Sequence, residues 1–150
     1  MAKFRAFAGK RYLLDPGVRV AHEGFELLGR IYSQELNLTD FHRGIYGGSN
    51  SGFGAIMLAC LLGYRRIYLL GYDMVAVART HWHTGYSGQR LAEFNKNLER
   101  FAAELHEWAP RFSSSGVEIV QLFVSSPDET VLTCFEKRKL SEVVCLENHL

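Results

Sequence analysis

The residues with the clearest chemical potential form a small-residue run, GGSNSG, at positions 47–52. Glycines allow positive φ and the close approach of a ligand to the main chain, while serine and asparagine side chains cap the first turn of a helix. A helix that starts there points unpaired N–H groups and the positive end of its dipole at the loop, which favours a phosphate or a carboxylate. We therefore expect a phosphate or carboxylate group of a ligand to be contacted by Gly47, Gly48, Ser49, Asn50, Ser51 and Gly52.

The same run has a second interpretation, as a tight strand-to-helix connection that binds nothing. The specific nucleotide-binding patterns, G-x-G-x-x-G and G-x-x-x-x-G-K-[ST], do not fit it. Because the run contains no lysine, a Walker-type nucleoside triphosphatase is excluded.

A second set of polar side chains follows: Asp73, at the end of an apolar run, and then His81, His83 and Tyr86. An imidazole titrates near neutral pH, so either histidine could act as a general acid or base. Asp73 could bind a ribose hydroxyl or Mg²⁺, and Tyr86 could stack on a base or sugar ring.

Other roles remain open for these residues. The two histidines and Asp73 could form a metal site, but zinc would need a third or fourth ligand that the sequence does not place, so we assign no metal ligands. Alternatively, His81 and His83 are loop residues hydrogen-bonded to the backbone, and Asp73 is a turn residue.

The elements around these residues predict how they are positioned. A helix is expected from about Phe53 to Leu62, with an apolar face formed by Ala55, Ile56, Ala59 and Leu62. The continuously apolar run from Ile67 to Leu70 suits a strand buried on both faces. Asp73 would then emerge at the carboxyl end of that strand, where open α/β sheets bind their ligands.

The rest of the chain continues the alternation of strands and helices. Strands are predicted at 10–14, 18–21, 117–124 and 131–135. A long helix is predicted from Gln89 to Ala109, ended by Pro110, and a last helix from Leu140 to Leu146. The segment 25–36 is ambiguous between helix and strand. This order predicts an α/β fold, a single three-layer Rossmann-like domain over residues 1–150 with a mostly parallel sheet. The first 45 residues are the least regular, and we expect a first βα unit to be missing or replaced by cover from a partner chain.

Composition limits the partners. With 17 basic and 16 acidic residues, the formal net charge is +1. A charge this small does not attract nucleic acid or an anionic membrane electrostatically. No apolar run is long enough for a membrane span and no secretory signal is recognisable, so we expect a cytoplasmic protein. Its three cysteines, Cys60, Cys134 and Cys145, are scattered, and we expect them to be reduced. The long helix carries an aromatic stripe from Phe94 to Trp108, which we expect to form core and part of a homodimer interface.

The segments NSGFGAIMLACLLGYRRIYLLGYDM, THWHTGY, GVEIV and VLTCF, in this order, resemble a group of bacteriophage and prophage proteins of unsettled role. That group looks like a distant relative of the archaeal hydroxymethyl-dihydropterin pyrophosphokinase family and of the bacterial lipooligosaccharide sialyltransferases. The resemblance extends from about Tyr46 to Leu140.

The resemblance implies a Rossmann-like sheet that binds a nucleotide or nucleotide sugar at the small-residue turn, and transfer of a sugar or pyrophosphate group. Positions 49–52 match the turn, Asp73 matches the acid after the strand, and the segment with His81 and His83 falls where the sialyltransferases carry a functional histidine. The relatives have an additional N-terminal segment before the position of Lys10 that supplies part of the nucleotide pocket, and this chain departs from them there.

The sequence thus predicts a nucleotide-dependent, transferase-like domain with a small-molecule nucleotide ligand, and Mg²⁺ as a possible companion. The alternative is a binding or assembly module that keeps the fold without the chemistry.

Overall fold

The computed structural model describes residues 9–14, 25–31, 45–75, 91–124 and 130–147. The strands are β1 (Tyr12–Leu14), β2 (Glu26–Leu28), β3 (Arg30–Ile31), β4 (Ile45–Tyr46), β5 (Arg66–Leu70), β6 (Glu118–Phe123) and β7 (Glu136–Lys139), and the helices are α1 (Ser51–Leu61), α2 (Leu91–Ser114) and α3 (Leu140–Glu147). The predicted strand at 18–21 and the segment that carries His81, His83 and Tyr86 lie outside the described residues.

The central sheet has three parallel strands in the order β5-β6-β7. Two further parallel pairs, β1 with β2 and β3 with β4, form in the first part of the chain. Parallel neighbours require a crossover connection, and α2 lies in the crossover between β5 and β6. The fold is therefore α/β and Rossmann-like, as predicted, with a small central sheet.

Helices cover both faces of this sheet. On one face, Leu69 and Ile119 belong to the main core, which they share with α1 and α2. On the other face, Val120 and Leu122 pack against Val143 of α3. Successive residues of a strand point to opposite faces, so the alternation along β6 produces three layers.

An aromatic cluster joins α1 to α2 at the end of β4. Phe53 and Trp108 are fully buried; their ring centroids lie 5.4 Å apart in an edge-to-face arrangement. Tyr46 stacks on Trp108 with centroids 5.2 Å apart. Such pairs add about 0.5–1.5 kcal/mol each beyond the area that they bury, so the cluster fixes the start of α1 against the C-terminal part of α2.

The predicted end of the long helix is wrong, because α2 continues through Pro110 to Ser114. Proline lacks the N–H that would bond to the carbonyl four residues earlier, which destabilises a helix interior. Here the extra turn places Phe112 in the core, where it is 1% exposed and packs near Phe53 and Trp108. Burial of that ring offsets the lost hydrogen bond, and the helix ends instead before Gly116, whose φ is +71°.

The predicted strand at 131–135 is also wrong. That segment is irregular, and the strand is the charged sequence that follows it, β7. Leu132 reaches the core from the irregular segment as a single buried side chain. Within the described sheet β7 is an edge strand, and charged residues on an edge discourage pairing with other chains.

The buried face of α1 differs from the predicted one. Of the predicted face, Ile56 is buried as expected, but Ala55 and Leu62 are exposed. The other buried side chains are Phe53, Met57 and Cys60. The helix is apolar nearly all round, so its periodicity does not determine which side meets the core.

Two of the three cysteines have described side chains, and both are free thiols. Burial raises the pKa of Cys60 and of Cys134 to about 11 in each case. Both therefore remain neutral thiols at physiological pH. The side chain of Cys145 lies outside the described part of the chain.

Within the described residues no helix is both long enough and apolar enough to cross a membrane.

Candidate functional site

The small-residue loop enters α1, as predicted, and it follows a short strand, β4, that was not predicted. Asn50 is the N-cap residue: its backbone is extended, and its Oδ1 accepts a hydrogen bond from the Phe53 N–H at 2.9 Å. The N–H groups of Ser51 and Gly52, in the first turn, have no acceptor among the described residues. These two donors and the positive end of the helix dipole are what the loop offers to an anion.

Gly48 is required by the packing of the loop. Its φ is +60°, and a Cβ built on it would lie 2.4 Å from Cδ1 of Phe53. Phe53 is fully buried among aromatic neighbours, so its ring cannot move aside. The sequence predicted glycine here for positive φ and for ligand approach; the positive φ is confirmed, and the structure also gives Gly48 a role in closing the loop onto the core.

A carboxylate from α2 already occupies one half of the loop. Oε2 of Glu104 accepts hydrogen bonds from the Ser49 N–H at 2.8 Å and from the Ser49 hydroxyl at 2.6 Å. Its Oε1 accepts from the Tyr46 hydroxyl at 3.2 Å. Three of about four acceptor positions of the carboxylate are thus used, and the loop is tied to a residue more than 50 positions away in sequence.

The other half of the loop lies against the carboxyl end of β5. A Cβ on Gly52 would be 2.7 Å from the Tyr72 hydroxyl and 3.0 Å from Oδ1 of Asn50, so a larger residue here would displace the phenol from the start of α1. Burial raises the pKa of Tyr72 above its usual value, and the phenol therefore stays protonated and can donate a hydrogen bond. Asp73, the next residue, is exposed.

Hydrogen bonds from β6 and from the segment before β7 hold this end of β5. Gln121, only 2% exposed, donates from Nε2 to the Tyr72 carbonyl at 3.0 Å and to the Thr130 hydroxyl at 2.8 Å. The Val131 N–H donates to the Asp73 carbonyl at 3.2 Å. The backbone that carries Tyr72 and Asp73 is therefore fixed from two sides.

Two buried polar atoms in this region have no partner among the described residues: Oε1 of Gln121 and Nδ2 of Asn50. A buried acceptor or donor without a partner costs about 1–3 kcal/mol. Natural proteins carry few such groups, and a bound water or ligand is an ordinary reason for one.

The structure thus brings together the loop at 47–52 and the carboxyl end of β5, through the contact between Gly52 and Tyr72. His81, His83 and Tyr86 lie outside the described residues. Sequence reasoning missed Glu104 and Gln121, which lie on a helix and a strand with no motif around them. It also missed Tyr72, whose position beside Asp73 at the predicted strand end was an available signal.

Among the described residues no three His, Cys, Asp or Glu side chains are grouped in a way that would hold a metal ion. Comparison of the chain with protein-family models, with curated proteins and with solved structures gives no match.

Proposed function

We propose that this protein binds a nucleotide or nucleotide sugar at the edge formed by the loop at 47–52 and the carboxyl end of β5, in a transferase-like role of glycosyl or pyrophosphoryl transfer. The observation that carries the proposal is the contact of Tyr72 with Gly52. Through this contact the start of a capped helix meets the carboxyl end of a parallel strand, and the exposed Asp73 follows Tyr72 at that strand end. Open α/β sheets bind their ligands at the carboxyl ends of their strands, which supports the proposal.

Each group at this edge has a matching part of such a ligand. The N–H groups of Ser51 and Gly52 would bind phosphate oxygens. The protonated hydroxyl of Tyr72 would donate to a phosphate or sugar oxygen. The Asp73 carboxylate would accept from a ribose hydroxyl or hold Mg²⁺ that bridges to the phosphate.

The chemical step would fall to the histidine segment. A group transfer needs a base to take a proton from the accepting hydroxyl or an acid to protonate the leaving oxygen, and an imidazole is suited to either. His81 or His83 is proposed for this role, and Tyr86 for stacking on the base or sugar ring.

A homodimer is part of the same proposal. Leu105 and Trp108 from the aromatic stripe of α2 are fully buried within the chain's own core and offer nothing to a partner. The proposed interface rests on Phe94, Leu98 and Phe101, which are only half-buried.

A thermal-shift screen against CMP-sugars, UDP-sugars and ATP, each with and without Mg²⁺, tests the function. A ligand at a hundred times its Kd adds ~2.7 kcal/mol, which corresponds to a rise in Tm of about 5–11 °C for a domain of this size. Tyr72→Phe and Asp73→Asn should each reduce the shift, and Asp73→Asn should remove any dependence on Mg²⁺. Glu99→Gln, which removes an exposed carboxylate on α2, is the control and should leave the shift unchanged.

No rise in Tm with any of these ligands would contradict nucleotide binding and favour the binding or assembly module. A shift that Tyr72→Phe and Asp73→Asn leave intact would place the ligand elsewhere on the protein.

A further inference from the structure

The loop at 47–52 already binds an anion that belongs to its own chain. The Glu104 carboxylate takes both donors of Ser49, the N–H at 2.8 Å and the hydroxyl at 2.6 Å. A backbone N–H and a serine hydroxyl at a glycine-rich turn are the donors that phosphate oxygens commonly use. One half of the loop is therefore filled by a carboxylate, and the half with Ser51 and Gly52 is left for a ligand.

Among the described residues, Glu104 accepts hydrogen bonds only from neutral donors. Its partners are the Ser49 N–H and the hydroxyls of Ser49 and Tyr46, and no lysine or arginine forms an ion pair with it in the described part of the chain. A second negative group placed against Ser49 would therefore meet the like charge of the carboxylate at short range.

We propose that Glu104 is a specificity-determining residue that restricts the loop to ligands with a single phosphate group, and so favours the glycosyl over the pyrophosphoryl form of the proposed function. The inference rests on the proposed function. One phosphate can use the N–H groups of Ser51 and Gly52, whereas a second, adjacent phosphate would need the donors of Ser49, which Glu104 holds. The second phosphate would also meet the like charge of the carboxylate.

The test compares orthophosphate with pyrophosphate by isothermal titration at constant ionic strength. The proteins are the wild type, Glu104→Gln and Glu104→Met, with Glu107→Gln as the matched control. The glutamine variant removes the charge and keeps an oxygen for Ser49; the methionine variant removes both, so the result does not depend on how the fold tolerates one substitution. Glu107 is an exposed carboxylate on the same helix, and its loss changes the net charge equally.

Both Glu104 variants should raise the affinity for pyrophosphate relative to orthophosphate by about tenfold, which equals ~1.4 kcal/mol, and Glu107→Gln should leave the ratio at the wild-type value. An unchanged ratio in the Glu104 variants, with orthophosphate still bound, overturns the inference and leaves the proposed function standing. An equal change in Glu107→Gln also overturns it, because the effect would then be one of net charge. Absence of orthophosphate binding in every protein also overturns the inference, because Ser51 and Gly52 then hold no phosphate on their own; the thermal-shift screen decides the proposed function separately.

Discussion

Gly48→Ala should destabilise the protein through the contact that closes the loop onto the core. The new methyl group would lie 2.4 Å from Cδ1 of Phe53, and the residue would keep a φ of +60°. A non-glycine residue in that region costs about 1–2 kcal/mol, and overpacking of a buried ring costs about 1–3 kcal/mol more. Gly116→Ala is the matched control, because its φ is +71° and nothing lies within 4 Å of the added methyl.

Urea denaturation followed by tryptophan fluorescence measures both variants. The control should lose only the backbone contribution, so Gly48→Ala should be less stable than Gly116→Ala by about 1–3 kcal/mol. With m near 2 kcal/mol/M, this difference lowers the denaturation midpoint by about 0.5–1.5 M. Phe53→Leu should recover part of the loss in the double variant, since it makes room for the methyl. Equal stability of the two alanine variants would refute the argument that Phe53 dictates glycine at this position.

Three further predictions concern the thiols and the assembly. In a Cys145→Ser background at pH 7.5, iodoacetamide should modify Cys60 and Cys134 at least about tenfold more slowly than a free thiol. Burial raises the pKa of both thiols to about 11, and only the thiolate reacts. A rate equal to that of a free thiol would contradict the burial. The pKa of Cys60 in the folded protein lies above its unfolded value of about 9. The stabilisation that comes from keeping this thiol protonated is therefore complete below pH 9 and is lost as the pH rises towards 11. Cys60→Ala should reduce that loss of stability. Light scattering at tens of micromolar protein should give twice the 17.0 kDa mass of the chain. Phe101→Ala should weaken the pairing of the two chains. A wild-type mass near 17.0 kDa would contradict the homodimer.

The sequence predicted the centre of the chain well because several local signals agree there. The run from the glycine loop through α1 to β5 has a cap, a helix stop and a continuous apolar strand, and each boundary lies within two residues of its prediction. Where one local signal stood alone it failed. Pro110 indicated a helix end, but the burial of Phe112 outweighed the missing hydrogen bond.

The candidate site was predictable only in part, for a related reason. The loop and Asp73 follow from position in a βα pattern, which is a local property. Glu104 reaches Ser49 from a distant helix, and Gln121 reaches the Tyr72 carbonyl from a neighbouring strand. Contacts of this kind depend on the register of the sheet and the rotation of α2, which periodicity leaves undetermined.

The most direct test of ligand binding at the loop is a titration of ¹⁵N-labelled protein, followed by NMR, with the nucleotide that gives the largest thermal shift. We expect the amide signals of Ser51, Gly52 and Asp73 to move together and to saturate at one Kd. The amides of Arg66 and Glu118, at the opposite end of the paired strands β5 and β6, should stay in place. Saturable changes at Arg66 and Glu118 with none at Ser51 and Gly52, or no saturable change anywhere, would contradict the proposed function.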